Sequence, residues 1–380
     1  MYSPHDHGVM IADRVRVGAY RRALERAIRP GDVVVDLGAG SGIFSVLAVQ
    51  LGAGKVYAIE CEESIELARQ IARDNHCERA IIFIRDVSSN LELPEKANVI
   101  VSDIHGGLPF YGLGLASILD ARRRFLAPAG IMIPLRERIW CAAVQLPAGD
   151  YDRVSVWNDD RWGVNLRSGS RFGTDFPFAA RVDPGHFVSE PACITTLEHN
   201  MIQSPSAGGC VTLQAFRDGE ANGYLLWFDS DLVDGVSLST APGLPETVYP
   251  NVFAPWTRPV ALGAGDQIEA EFCFNLVHND YVWNWNTSIR TCTGQQRDCF
   301  RQSSFNSSFI APEQLCRRAP GHRPRLNKKG MQQQILLKLM NGDRSLQEIA
   351  FVALRDYPDL FCDESTAIQE AADLADKYGQ

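Results

Sequence analysis

The chain has 380 residues, 45 % apolar and 22 % charged, the composition of a globular protein rather than a disordered or fibrous one. At about 150 residues per domain, this length predicts two to three domains. A formal net charge of −9 argues against a broad phosphate-tracking surface, which needs clustered Lys and Arg to displace counterions, so no nucleic-acid partner is expected. The N-terminus, Met1 to Gly8, has neither the basic start nor the apolar stretch of a secretory signal, and no later run approaches about 18 unbroken apolar residues. No membrane partner and a cytoplasmic location are expected. Ten cysteines lie scattered with no CxxC pair. The group Cys292, Cys299 and Cys316, with His322 beyond, reads as loop thiols, and no metal is assigned.

The first elements form a nucleotide-binding pattern. Val33-Val34-Val35-Asp36-Leu37 is a strand, Gly38-Ala39-Gly40-Ser41-Gly42 a turn, and Phe44 to Leu51 a helix. Glycines at 38, 40 and 42 allow backbone angles and a close ligand approach that a Cβ blocks, and such a turn leaves N–H groups free for a ligand. A second strand, Lys55 to Ile59, ends in Glu60, about 20 residues after the turn, where a carboxylate can accept from two ribose hydroxyls. Asp36, just before the turn, repels a pyrophosphate but suits a sulfonium and an ammonium, so the pattern favours S-adenosylmethionine over a dinucleotide. A third strand, Ala80 to Ile84, leads to Asp86, placed to accept from an adenine amine. A fourth, Ala97 to Ser102, leads into Asp103. Alternating strands and helices of this length predict a doubly wound, Rossmann-like α/β sheet over residues 1–134, with ligands beyond the carboxyl ends of the strands.

These residues resemble the protein arginine methyltransferases, over most of residues 7 to 290. His7, Met10, Asp13, Arg16 and Tyr20 follow the spacing of that family's N-terminal cofactor lid. Ser102-Asp103-Ile104-His105-Gly106-Gly107-Leu108-Pro109-Phe110-Tyr111 matches its substrate loop without gaps, and the likeness continues through Leu119 to Arg122, Phe125 to Gly130 and Pro134. The resemblance implies that Arg16 pairs with the methionyl carboxylate and that His7 and Met10 face the acceptor. It also implies a second, β-barrel domain and a homodimer.

The departures bear on the acceptor. Two glutamates of the family's loop grip a guanidinium; here those positions are Asp103 and Gly112. One carboxylate is shortened and the other absent, so these positions cannot form a bidentate clamp. A Thr-His-Trp element is matched to Ala254-Pro255-Trp256, which keeps only the tryptophan. Asp103 is assigned to orient or deprotonate the acceptor and His105 is a candidate base, while Tyr111 and Trp256 are candidate pocket walls. Gly106, Gly107, Gly112 and Gly114 reduce side-chain bulk in the loop and are read as widening the pocket.

From Leu135 to Arg290 short alternating runs, such as Val211 to Phe216, Gly223 to Phe228 and Gln267 to Phe272, predict a β-sandwich or barrel. An insertion near residues 151–178 takes the place of the family's dimerisation arm. Residues 291–325 read as a linker. Residues 326–380 become helically periodic, with a capping box at Ser345-Leu346-Gln347-Glu348. This tail resembles the winged-helix part of PqqD-like peptide-recognition domains through Leu339 to Ala350 and Tyr357-Pro358, which implies a leader peptide or carrier as partner.

The leading expectation is an S-adenosylmethionine-dependent methyltransferase acting on a nitrogen or oxygen of a peptide or natural-product intermediate. Two alternatives stand: an arginine methyltransferase whose clamp is rebuilt by other acids, such as Glu137 or Asp150, and a noncatalytic protein that keeps the cofactor fold.

Overall fold

Between Val33 and Ile133, β-branched runs too apolar for a half-exposed strand alternate with helices, as a parallel sheet covered on both faces requires. The computed structural model describes residues 2–160 and 162–379. Helices α1 (Pro4–Ala12) and α2 (Arg14–Ala27) precede β1 (Val33–Leu37), α3 (Ile43–Gln50), β2 (Lys55–Ile59), α4 (Ser64–Asp74), β3 (Ile81–Ile84), β4 (Ala97–Ser102), α5 (Gly114–Phe125) and β5 (Leu126–Ile133). The five strands pair in parallel in the order β3-β2-β1-β4-β5. The reversal of winding falls between β1 and β4, so the loops after these two strands open onto one crevice. Asp13 sets the entry of α2: its Oδ1 accepts from the Arg16 N–H at 2.9 Å while its Oδ2 accepts from Val248 N–H at 2.7 Å.

The chain then turns antiparallel. Strands β6 (Arg136–Val144), β7 (Phe178–Ala180), β8 (Ala192–Glu198), β9 (Ala207–Gln214), β10 (Gly219–Val233), β11 (Val236–Ser239), β12 (Asn251–Leu262), β13 (Gln267–Val277), β14 (Asp280–Arg290) and β15 (Gln296–Ser303) build two sheets. One runs β7-β12-β10-β6-β8 with β11 on β10, and the other runs β15-β14-β13-β9. Apolar residues alternate inward along these strands and meet in a barrel or sandwich core. Fixed polar contacts cross it: Tyr224 Oη donates to Thr287 at 2.9 Å, and the Trp285 indole N–H donates to the Pro255 carbonyl at 3.0 Å. Helices α6 (Ala148–Ser155) and α7 (Ser170–Thr174) form the inserted arm, folded on Trp157, whose ring lies against the backbone of Gly169 and Gly173.

The chain divides into two compact units, one ending at Ser308 and the other starting at Phe309. Two expectations change here. Residues 291–325 are not linker throughout, because β15 pairs with β14 and buries Phe300 and Gln302; the polar residues between them hide that alternation. The second unit holds α8 (Pro312–Arg318), α9 (Lys328–Leu339), α10 (Leu346–Asp356) and α11 (Glu364–Tyr378) around Leu336, Ile349, Ala353, Phe361 and Leu374. Among its described residues there is no strand, so the wing of a winged helix is missing. Pro320 and Pro324, which cannot donate to a strand ladder, occupy the stretch before α9. The Ser345–Glu348 capping box is present. No helix among the described residues is long and apolar enough to cross a membrane.

Trp256 is fully buried in the barrel, edge-on to Tyr224 and 6.2 Å from the Phe300 ring. Trp256→Ala is therefore expected to cost about 3–5 kcal/mol in denaturant unfolding, as for other large-to-small core changes, while leaving S-adenosylmethionine affinity within about twofold. A loss of affinity with unchanged stability would place the side chain elsewhere.

Candidate functional site

The glycine turn after β1 takes the shape its sequence demands. Gly38, Gly40 and Gly42 have φ of +77°, +51° and +74°, the left-handed region that side chains avoid. Glu60 ends β2 beside it. Its Oε2 accepts from Gly40 N–H and its Oε1 from Glu62 N–H, both at 2.9 Å, so backbone donors fix the carboxylate while each oxygen keeps a lone pair for a ribose hydroxyl. Asp36 lies buried under the turn, and Ser45 Oγ donates to it at 2.6 Å. Burial pushes the Asp36 carboxyl up to about 6 against the Ser45 hydrogen bond, with Glu60 adding to the rise. A cation over the turn relieves that cost, which fits S-adenosylmethionine and not a pyrophosphate.

The lid closes this side. The His7 ring lies over Gly40, where an added Cβ would sit 3.2 Å from His7 Cε1. His7 Nε2 and Arg16 Nε are buried without a hydrogen-bond partner, two polar atoms that a bound ligand would satisfy. Arg16 is partly occupied: one terminal nitrogen pairs with Asp103 Oδ2 and the other donates to the Met10 carbonyl at 2.7 Å. Its Nε–H and the second hydrogen of each terminal nitrogen stay available to a methionyl carboxylate, the partner that the resemblance implied. Met10 enters the site through its carbonyl. Asp86 Oδ1 accepts from Val87 N–H and Asn90 Nδ2 in its own turn, which fixes the carboxyl at the end of β3.

The loop after β4 holds the densest group of ionisable residues. Asp103 Oδ1 accepts from Tyr249 Oη, its Oδ2 meets Arg16, and His105 Nδ1 stands 3.3 Å from Oδ1. Asp103 thus anchors three side chains, besides the role of orienting or deprotonating the acceptor expected of it. His105 has no exposed base function. Its side chain is 2 % exposed, stacked on Phe228 and edge-on to Tyr249. Its Nε2 lies 2.6 Å from Glu137 Oε1, an ion-pair distance without hydrogen-bond alignment. Glu137 Oε2 in turn faces His199 Nε2 at 2.9 Å. Burial opposes charge on Glu137, but the facing imidazoles, His105 and then His199, hold its carboxyl well below the usual range.

The remaining loop residues divide clearly. A Cβ on Gly107 would meet the Pro250 carbonyl at 2.7 Å, so that glycine serves close packing rather than a wider pocket. Gly112 has φ of +51° with open space at its Cβ position, a conformation that a glutamate adopts only under strain. Tyr111 is 63 % exposed and does not by itself wall a cavity. Trp256 is in the barrel core, and the stretch that reaches the crevice is Thr247-Val248-Tyr249. Its signal in the sequence is an aromatic two residues after a threonine, which is too short to outrank Ala254-Pro255-Trp256. Tyr249, Glu137 and His199 complete the group; Asp150, on α6, has no contact with it.

The Asp36 shift yields a signed expectation. A carboxyl raised to about 6 in the fold contributes stability when protonated, present at low pH and lost as pH rises through 6, whereas a cationic ligand favours the ionised form. S-adenosylmethionine affinity by calorimetry should therefore weaken by up to about tenfold from pH 7 to pH 5, and Asp36→Asn should flatten that slope. A wild-type affinity independent of pH would remove Asp36 from the cofactor's field.

Comparison with known proteins agrees with this geometry. The profile of the ribosomal protein L11 methyltransferase (PrmA) family matches residues 21–109. The chain is 30 % identical over 258 residues to protein arginine N-methyltransferase 6 of Xenopus tropicalis, covering 63 % of this chain and 75 % of that one. It is 31 % identical over 277 residues to an arginine N(omega)-methyltransferase of Streptomyces achromogenes, covering 70 % and 74 %. A solved Trypanosoma brucei protein arginine methyltransferase 1 enzyme-prozyme complex with AdoHcy superposes with a TM-score of 0.71 at 23 % identity, covering 78 % of this chain and 97 % of that chain. With that parallel sheet, cofactor turn and antiparallel second domain, the chain belongs to the protein arginine methyltransferase family and is an S-adenosylmethionine-dependent methyltransferase.

Proposed function

We propose that the chain transfers the methyl group to a neutral nitrogen or oxygen of a peptide or natural-product intermediate rather than to a guanidinium. One observation carries this reading: the carboxylate that remains of the expected pair, Asp103, already spends both oxygens on Tyr249 and Arg16, and its former partner position is Gly112. When bound, S-adenosylmethionine would supply an electrophilic methyl on a sulfonium: the acceptor lone pair would bond to the methyl as the C–S bond breaks, S-adenosylhomocysteine would leave, and the acceptor's proton would pass to water. Glu60 and the glycine turn hold the nucleoside end, and Asp36 favours the cationic end. Asp103 acts as the brace that keeps Arg16, Tyr249 and His105 at the crevice.

A second reading has its own support. Asp280 Oδ1 accepts from Gly112 N–H at 3.4 Å, so a carboxylate stands beside the vacated position and offers one arm of a rebuilt guanidinium clamp. The Streptomyces relative, an arginine N(omega)-methyltransferase, points the same way. The peptide or leader-peptide partner is assigned to the unit from Phe309 onward, whose Leu337, Phe351 and Tyr357 are exposed. A homodimer is assigned to the arm, where Trp162, Val164 and Phe176 are exposed and a second copy would cover them.

Intact-mass analysis of candidate acceptors, followed by fragmentation, decides between the two readings. Arginine, arginine peptides and any peptide encoded beside the gene are offered with S-adenosylmethionine to the full chain and to a chain ending at Ser308. Added methyl on a neutral atom is expected, with the shortened chain at least about tenfold less efficient on a tethered peptide, the loss of a second binding contact. Methyl on arginine, abolished by Asp280→Asn, would establish the rebuilt clamp instead. Trp162→Ala is expected to shift the protein from dimer to monomer in light scattering, and an unchanged mass would remove the arm from the interface.

A further inference from the structure

Most of the charge near the crevice is buried, and its balance is specific. Asp103 is 8 % exposed at its side chain and Glu137 is 0 %. Arg16 supplies one positive charge, directed at Asp103. The ion-pair partners of Glu137 among the described residues are imidazoles, His105 on Oε1 and His199 on Oε2, with the Tyr20 and Tyr249 phenols, which carry no positive charge, also close to it. His199 Nδ1 has no partner, so a neutral ring donating from Nε2 satisfies its contact. His105 differs, because each ring nitrogen faces a carboxylate oxygen, and an ionised carboxylate accepts but does not donate. Both contacts are attractive together only when both nitrogens carry a proton. With His105 as imidazolium, two carboxylates face two cations and the buried group is neutral; with a neutral ring, one buried negative charge is left uncompensated, at a heavy cost.

We propose that His105 is a built-in cation, lodged between Asp103 and Glu137, that neutralises the two carboxylates and so determines acceptor specificity by leaving no charge for a cationic acceptor to meet. The specificity consequence rests on the neutral-acceptor reading above; the cation site itself does not. His105 acts here as a specificity-determining residue and not as a base: its ring is packed on Phe228 and Tyr249, its side chain is 2 % exposed, and both ring nitrogens face carboxylates. The Phe228 ring lies parallel to the imidazole and Tyr249 stands across it, so the vacated site should take a planar imidazolium, amidinium or guanidinium stacked on Phe228 in preference to a tetrahedral ammonium.

The test removes the ring and supplies it again. His105→Ala is made in the full chain, and imidazole, guanidinium chloride and thiophene, a neutral ring of similar size, are each added at millimolar concentration without cofactor or acceptor. The melting temperature is expected to rise by a few degrees with imidazole and with guanidinium, by mass action on a folded-state site. Thiophene and sodium chloride should give no rise, and neither cation should raise wild type. His105→Ala/Glu137→Gln is expected to bind imidazole at least about tenfold more weakly, the scale of losing one partner of a buried charge pair. Equal rescue by thiophene would show a mere cavity, and no rescue by either cation would refute the site. If His105→Ala does not fold, histidine-selective 15N NMR of the wild-type protein at pH 7 reads the same claim. A solvent-protected imidazole with protons on both nitrogens is expected, and the absence of any such ring would overturn the proposal. Because no methyl transfer is measured, failure here is separate from failure of the acceptor assay.

Discussion

The contact on which the site depends is the buried pair between Arg16 and Asp103. Arg16 comes from the N-terminal lid, Asp103 from the loop after β4, and Tyr249, which donates to the same carboxylate, from the segment that leads into the barrel. One short side chain therefore fastens three parts of the chain that are far apart in sequence. A glutamate at this position would project one methylene further, into the crevice. An aspartate ends at the brace. Breaking such a pair from one side strands the other charge, at a cost of about 3–5 kcal/mol where both are buried, so lid, loop and barrel are coupled through this carboxylate. Asp13 repeats the device on a smaller scale, capping α2 with one oxygen and holding Val248 with the other.

How much of this was legible follows from the range of the interactions. The parallel sheet, its strand limits and the glycine turn are set locally: Lys55–Ile59 and Ala97–Ser102 form strands with the limits that their apolar runs predict, since strands covered on both faces need unbroken apolar sequence. Glu60 was legible for the same reason, as the first polar residue at a strand end. Glu137 was visible only as a spare acid, because its meeting with His105 depends on how β6 leaves the first domain and on the register of Glu137 with Ser230 on β10 and Leu197 on β8. Tyr249 was missed for a related reason. Its role arises from an approach across 146 residues to Asp103, and Trp256, larger and more conspicuous, faces inward on β12, which begins two residues after Tyr249.

The same distinction applies to the glycines. Read along the chain, the glycines from 106 to 114 look like one device for making room, yet their surroundings differ. Gly107 is required by the Pro250 carbonyl, and Gly112 by its own left-handed backbone. The second point reaches beyond loop shape. A loop that fixes φ at +51° there has lost the glutamate and also the backbone that would present one without strain, so restoring the side chain alone would not restore a clamp.

Two carboxylates near one another in a dry site cannot both stay ionised unless a cation stands with them. In the family this chain resembles, the loop's acids meet a cation that arrives with the acceptor. Here Arg16 meets Asp103, and a second cation, His105, is proposed between Asp103 and Glu137. Once the chain itself supplies that charge, a charged acceptor gains little by entering and loses its hydration in doing so, while a neutral nucleophile loses far less. On the proposed reading, acceptor choice depends on where the compensating positive charge resides, more than on the number of acids around the crevice.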